Sequence, residues 1–458
     1  MTEAHEQVYL LDNGTVITGG EQSRVLVDGA VAWSGERGLE VGDRASLDSR
    51  YPAAYRIDAH GGIIHPGLIN LHHHLYSALA RGLAPVGSPS DFGQILDQLW
   101  WRLDRALTTR TVRLSALLGA AECIRWGCTT VFDHHASPSC LRGSLDQIAR
   151  SLDEAGLAAV LCYEVSDRNG QDEAIAGLVE NLQFMDRFRD HPRIRGTLGL
   201  HASFTISDRT LDEAASHRPP DSGCHIHLAE DPLDFQISEL SYGESPLPRL
   251  EKRGLLDDKA LLIHGVHLTS AGLERIARHR AIIVHCPESN ANNGVGRFDV
   301  ERAVAAGCTV GLGTDGMSSA MLRSLRAAFL AQRGGRRDPT LGFTAHPLLL
   351  PTNAAVARRF FDEPLLGELA AGAPADICVI DCPPPTPIGR DNLFAHLVYG
   401  ASESPVRHTI ARGQLVFEDF QHQTLDPVAI AEAARSAAPE IWQRFRELGA
   451  APLDWLPD

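Results

Sequence analysis

Four short clusters of potential metal ligands lie along this chain, each where an apolar, strand-like run ends. They are His72-His73-His74, His227-Leu228-Ala229-Glu230, His264 and Thr314-Asp315-Gly316. Imidazole nitrogens and carboxylate oxygens are the ligands of hydrolytic metal sites that keep one position open for water. A bound divalent ion acidifies that water enough to make it a nucleophile at neutral pH. A Glu and a further His remain beside such a ligand set, and the chemistry requires a base, an acid and an electrophile within hydrogen-bond reach.

Side chains two apart on a strand share a face. His72 and His74 therefore point to one side, with Cα atoms about 6.6 Å apart at about 3.3 Å per residue. His73 points the other way and reads as structural. Such a pair alone says little in a chain with 21 histidines; its weight comes from the other clusters. His225 and His227 repeat the spacing, and Glu230 follows three residues on. His227, nearer the strand end, is the better ligand, and His225 lies a layer deeper. Asp315 after Gly311-Leu312-Gly313-Thr314 can cap a helix, but beside the histidine clusters it reads as the fourth ligand. Zinc is the first choice of divalent ion, and Fe(II) also suits nitrogen and oxygen ligands.

Something must bring residues 72 to 316 to one point. Apolar runs of strand length recur at Gly62–Leu71, Thr129–Phe132, Ala158–Cys162, Gly196–Leu200, Cys224–His227, Ala260–Ile263, Ala281–Val284 and Thr309–Gly313. Helical periodicity lies between them, as in Thr111–Trp126, Leu145–Ala155 and Ala271–Arg280. Eight strand–helix alternations predict an α/β fold, a (β/α)8 TIM-type barrel whose strand ends share one face. Residues 1–60 and 370–425 hold short strand-like pieces and are expected to form one composite β-sandwich. The barrel then spans 61–369, and 426–458 forms a helical tail.

The longest strand-end segment, about residues 75–110, carries Trp100, Trp101 and Arg102. The two tryptophans are either core anchors of a loop helix or a lid over substrate. His135, Arg168 and His201 end the second, third and fourth strands and are candidate substrate contacts. Arg168 either meets a substrate carbonyl or carboxylate or makes an exposed ion pair.

The totals bound the function. With 44% apolar and 22% charged residues, the composition is that of a soluble globular protein. A net charge of −16 argues against nucleic acid or an anionic membrane as main partner. No apolar run approaches the roughly 20 residues of a transmembrane helix. Met1–Gln7 is polar and acidic, unlike a signal peptide. Nine cysteines without CxxC spacing read as reduced thiols in a cytoplasmic protein.

The chain resembles the amidohydrolase superfamily and, within it, the aminohydrolase (deaminase/chlorohydrolase) branch. The resemblance rests on His72-x-His74 after Pro66-Gly67-Leu68-Ile69-Asn70, His227-x-x-Glu230, His264, Thr314-Asp315-Gly316 and Gly372-Ala373-Pro374-Ala375-Asp376. Leu75–Gly82, Leu99–Leu107, Asp133–Pro138 and Asp167–Asn169 are similar to SsnA-type aminohydrolases. Two departures stand out: Cys286 where the family often has Asn, before Pro287-Glu288-Ser289-Asn290, and Leu322–Arg326 where SsnA-type relatives carry an acidic stretch. The resemblance implies that His201 contacts substrate and that a homodimer forms.

Many binuclear relatives bridge two ions with a carboxylated lysine from the end of strand four. Lys252 and Lys259, the chain's two lysines, both precede strand six, and strand four ends Gly199-Leu200-His201-Ala202. The resemblance therefore implies one ion per chain, unless a Cys or carboxylate bridges. It further implies that Asp315 takes a proton from water, that His264 orients the water or polarises the bond attacked, and that Glu230 protonates the ring nitrogen next to the amine-bearing carbon. The expected activity is deamination of a purine-, pterin- or triazine-type heterocycle. Hydrolysis of a cyclic amide or C–Cl bond at the same site is the alternative in chemistry; a non-catalytic scaffold is the alternative in class.

Overall fold

A computed structural model describes residues 7–20 and 22–449. The acidic start at 1–6 and the end of the tail at 450–458 lie outside the described residues.

Nine strands follow one another around the barrel: Leu68–His73, Cys128–His135, Ala158–Tyr163, Ile194–Gly196 continued by Leu198–Ala202, Cys224–Leu228, Ala260–His264, Ile282–His285 and Thr309–Leu312. All neighbours pair in parallel. The fourth expected strand is thus two pieces: Ile194–Gly196 pairs backward with strand three, and Leu198–Ala202 pairs forward with strand five. Parallel bridges Val165–Leu200 and His73–Asp315 join the two resulting sheets into a circle. Backbone bonds from Thr314 N and Asp315 N to His72 O, both 3.0 Å, seal the second seam.

Helices cover the outside. Thr109–Arg125, Ser144–Ala155 and Ser270–His279 begin and end within about two residues of the periodicity in the sequence. Thr108 and Thr111 cap the first of them reciprocally, which satisfies orphan N–H groups. Inside the barrel, Ile69, Leu71, Phe132, Val160, Leu261, Ile263 and Val284 form one buried cluster, a side-chain floor beneath the strand ends.

The apolar run Gly62–Leu71 was expected as one strand, and it is two. Ile63–Pro66 belongs to a nine-stranded sheet and Leu68–His73 to the barrel. Gly67 marks the break: a Cβ there would sit 2.3 Å from Thr129 Oγ1. The larger sheet runs through strands from both chain ends, with Ile377–Ile380 pairing Ile63–Pro66. It curls until Trp33 Nε1 bonds Gly413 O at 3.1 Å, so its two halves share one apolar core of Val31, Trp33, Ile64, Ile377 and Ile410. The long helix Pro427–Glu447 packs back on the barrel, and Trp442 Nε1 bonds Leu79 O at 3.0 Å.

Among the described residues, no helix is long and apolar enough to cross a membrane. All nine cysteines are unpaired.

Candidate metal centre and active site

Local backbone geometry aims the site. In strand one the register against strand two slips between Asn70 and His73, a bulge that redirects side chains. Ile69 and Leu71 stay in the floor while His72 and His74 converge above it. Gly313 lets strand eight approach, because a Cβ would lie 2.9 Å from His72 Cβ. Ala229, His264 and Asp315 adopt left-handed backbone with φ of 51°, 74° and 53°. Such conformations are costly for residues with a Cβ and gather at functional sites.

Four side chains, two from strand one and one each from the ends of strands five and eight, meet at a point. His74 Nε2 lies 3.2 Å from His227 Nε2 and 3.2 Å from Asp315 Oδ1, and His72 Nε2 is 3.6 Å from the same oxygen. Ligand atoms of His72, His74 and Asp315 all fall within 4.8 Å of one another, as do those of His72, His227 and His264.

Hydrogen bonds behind the rings fix the tautomers. His74 Nδ1 bonds His134 O at 2.6 Å and His227 Nδ1 bonds His201 O at 2.9 Å. A carbonyl only accepts, so both Nδ1 atoms carry the proton and both Nε2 atoms present lone pairs. Two lone pairs facing each other beside a carboxylate repel unless a cation lies between them. His72 Nδ1 lies 2.8 Å from His225 Nε2, a contact in which either ring nitrogen can be the donor. His72 Nε2 is buried without a hydrogen-bond partner, as is His264 Nε2. The donor set therefore fits a divalent ion held by His72, His74, His227 and Asp315.

Electrostatics agree with this division of labour. Burial drives the pKa of His72 and His227 well below the usual histidine value and lowers that of His74, keeping the rings neutral. Burial opposes ionisation of Asp315, but the neighbouring imidazoles of His72, His74 and His264 hold it well below the usual carboxylate range. Ser289 Oγ donates to Asp315 Oδ2 at 2.5 Å. Glu230 goes the opposite way: burial first, then the Asp315 charge, raise it well above the ordinary value. Glu230 Oε2 is 3.3 Å from His264 Nε2, and His264 Nδ1 is 2.8 Å from Asn290 Oδ1. A carboxylic acid, an ionised carboxylate and an oriented imidazole thus stand side by side, an arrangement suited to acid–base work.

A cavity opens over this centre, lined on one flank by Trp100, Trp101, Phe92, Leu96 and Phe204. The tryptophans combine core packing with a place on the cavity wall. Trp101 is buried in an apolar cluster with Phe92, Leu96 and Phe204, and both Trp100 and Trp101 face the cavity. A π-helical turn at Leu96–Trp100, inside the helical run Phe92–Ala106, presents them there; such turns gather at functional sites.

His201 lines the cavity as expected, with Trp101 edge-on to it at 6.0 Å. His135 and Arg168 do not line it. His135 turns to the outer layer, where Nε2 lies 2.8 Å from Ser137 Oγ. Arg168 is neither a substrate contact nor an exposed ion pair: it is buried, bridging Asp104 at 2.6 Å and Glu164 at 2.9 Å. Strand alternation accounts for the first miss. Phe132 faces the barrel interior, so His134, two residues on, must face in and His135 out. Glu164, Asp104 and Tyr76 are cavity residues the sequence reading passed over.

His73 bonds Ser319 Oγ at 3.1 Å on the far side of its strand, and His225 lies beneath His72. Neither lysine approaches: Lys252 pairs with Glu244, and Lys259 bonds Asp221 O at 3.0 Å, at the start of strand six. Cys286 precedes the helix Pro287–Asn292, whose Ser289 and Asn290 steady Asp315 and His264. Leu322–Arg326 lies in the outer helix Met321–Arg336, with Arg326 paired to Glu403.

Comparison with known proteins agrees. A 5-methylthioadenosine/S-adenosylhomocysteine deaminase of Nitratidesulfovibrio vulgaris is 30% identical over 433 residues, 93% of this chain and 96% of that protein. Its counterpart in Syntrophobacter fumaroxidans is 31% identical, covering 94% and 98%. Among solved structures, a zinc-bound adenosine deaminase from Xanthomonas campestris superposes with a TM-score of 0.80 at 24% identity, over 96% of this chain and 99% of that one. Atrazine chlorohydrolase from Arthrobacter aurescens TC1 complexed with zinc gives 0.79 at 23% identity, over 94% and 100%. At these identities the structures speak for the fold. The Amidohydrolase family matches residues 63–416, and with the barrel and its ligand-bearing strand ends this chain belongs to that family of hydrolases.

Proposed function

We propose that this protein is a deaminase that releases ammonia from an amino-substituted N-heterocycle, most specifically a purine of the adenosine type, at a single zinc ion held by His72, His74, His227 and Asp315. The observation that carries the reading is the placement of Glu230 and Asp315 about one imidazole, 3.3 Å and 3.8 Å from His264 Nε2, at the wall of one cavity. The curated deaminase relatives support an adenosine-derived substrate, and the zinc in two solved relatives supports the metal. Absence of a lysine from the strand-four end supports one ion. We take 61–369 as the catalytic barrel, 1–60 with 370–425 as the sandwich, 426–458 as the tail, and a cytoplasmic homodimer as the working form.

A bound divalent ion supplies acidified water and polarisation of the bond under attack. Asp315 receives the water proton on a carboxylate oxygen, and Ser289 keeps that carboxylate in place. Glu230 delivers a proton to the ring nitrogen beside the amine-bearing carbon. His264, oriented through Nδ1 by Asn290, steers the attacking oxygen. Proton return from Asp315 to the amine, with the remaining proton on the oxygen passing back to Glu230, lets the C–N bond break, so water and the amino-heterocycle become the oxo-heterocycle and ammonia. Trp100, Trp101, Phe92 and Phe204 keep bulk water from the reacting carbon.

Glu230 also argues against the alternatives. A leaving amine requires a proton and chloride does not, and a scaffold has no need of a complete ligand set. The test is ammonia release across guanine, 8-oxoguanine, adenine nucleosides, cytosine, pterins and aminotriazines, with metal content determined. Turnover lost in Glu230→Gln with metal retained supports deamination. Silence on the whole panel with one metal bound transfers the site to amides or halides, and silence without metal returns the scaffold reading.

A further inference from the structure

Away from the ligand side chains the cavity wall is acidic. Asp104, Glu164, Asp231 and Asp234 line it beside Glu230 and Asp315, and no Lys or Arg among the described residues does. Residues 1–6, 21 and 450–458 contain no Lys or Arg either. The nearest guanidinium, Arg168, is hidden behind the wall: one Nη2 reaches both Asp104 Oδ2 at 2.6 Å and Glu164 Oε1 at 2.9 Å, with all three side chains buried. Glu164 Oε2 lies 3.3 Å from His134 Nδ1. Asp104 Oδ1, by contrast, is buried and has no hydrogen-bond partner, and Asp234 Oδ1 is in the same condition.

A buried acceptor without a donor is costly, and a ligand that brings an N–H or O–H to it removes that cost. A ligand that brings a negative charge to this wall, away from the metal-binding end of the cavity, meets carboxyl groups and no Lys or Arg. We propose that Asp104 and Glu164, with Arg168 clamped behind them, form a specificity wall that accepts hydrogen bonds from an uncharged or cationic heterocycle and rejects heterocycles bearing a phosphate or carboxylate. The inference rests on the deaminase reading for the ring and goes beyond it for the rest of the substrate.

The test measures equilibrium binding to zinc-loaded Glu230→Gln protein, which separates recognition from turnover. The probes are 5′-methylthioadenosine and adenosine 5′-monophosphate, the same ring with and without the anion. The neutral probe is expected to bind at least roughly 30-fold more tightly, from like-charge repulsion alone. Adding Asp104→Ala uncovers Arg168, and the preference is expected to fall about 10-fold or more as the wall changes sign. Asp104→Asn keeps the shape, and Asp231→Asn changes only a half-exposed carboxylate at the wall; each is expected to narrow the preference even if the alanine variant does not fold. Equal affinity for the two probes, or a preference unmoved in the folded variants, overturns the inference. Failure of both probes to bind overturns it as well, while ammonia release by the unsubstituted protein judges the deaminase reading separately.

Discussion

Two buried polar clusters sit in this molecule, and they are built on opposite principles. In the curled sheet, Arg412 Nη1 reaches Glu36 at 2.7 Å and Glu363 at 3.3 Å, its backbone N–H reaches Asp376 at 2.7 Å, and Arg37 donates to Glu363 at 2.8 Å. Cations there face anions. At the barrel mouth, His72, His74, His227 and Asp315 turn acceptors toward one another; Ser289 and the Gly316 N–H reach Asp315, and the facing Nε2 atoms of His74 and His227 are left as lone pairs. The first cluster sets cation against anion, although Arg412 Nε and Nη2 and Asp376 Oδ2 make no hydrogen bond, and it holds the chain ends together; the second leaves an excess of lone pairs that a cation must complete. Burial of charge is thus common to structural and functional sites, and the sign of the imbalance tells them apart.

The largest break in that contrast comes from the mouth. Chelation, or Asp315→Asn, is expected to abolish ammonia release and lower the melting temperature, because an ion bound only by the native state stabilises it. Zinc added back should restore the chelated protein but not the variant; a chelated protein that keeps full activity would sink the metal assignment. Next, Glu230→Gln should retain zinc and lose about 10²–10⁴ in kcat, the usual worth of a general acid. Metal analysis beside steady-state kinetics checks this, and an unchanged kcat would remove Glu230 from the chemistry.

The sheet cluster should respond in the other currency. Arg412→Leu strands Glu36, Glu363 and Asp376, and breaking such a buried network costs about 3–5 kcal/mol. Denaturant unfolding should register that loss while zinc content and kcat/KM of the surviving native protein stay unchanged. A drop in kcat/KM equal to the loss in stability would erase the contrast between the clusters.

The smallest effect concerns Asp234, whose carboxyl is pushed to about 7 by burial against two backbone N–H bonds. A carboxyl with a raised folded pKa contributes stability that is complete below about 4 and is lost as pH rises through about 7. Asp234→Asn should therefore melt higher than the parent at pH 8 and no higher at pH 5. Equal melting temperatures at both values would contradict it.

Much of the site was legible because metal ligation demands residue types that sequence displays openly. The strands announce themselves by apolar runs, and parallel connection forces their ends to one face. The substrate side was not legible to the same degree. His135 was preferred over His134 although strand parity favours the latter. Arg168 looks like a substrate anchor until Asp104, brought by the long segment after strand one, reaches it from 64 positions earlier in the chain. Ser289 and Asn290 stood in a loop already singled out, yet their hold on Asp315 and His264 depends on where a six-residue helix lies.

The sequence by itself determined the period of the strands, the ligand-type residues at their ends and the absence of a lysine at the end of strand four, because each depends only on residue type and local alternation. Tertiary structure alone decided that Gly67 splits one apolar run between two sheets, that strand four divides to join two arcs of the barrel, and that Arg168 is spent on Asp104 and Glu164. Those outcomes depend on which distant groups compete for the same buried space and the same hydrogen bonds, and that competition is settled only when the chain is folded.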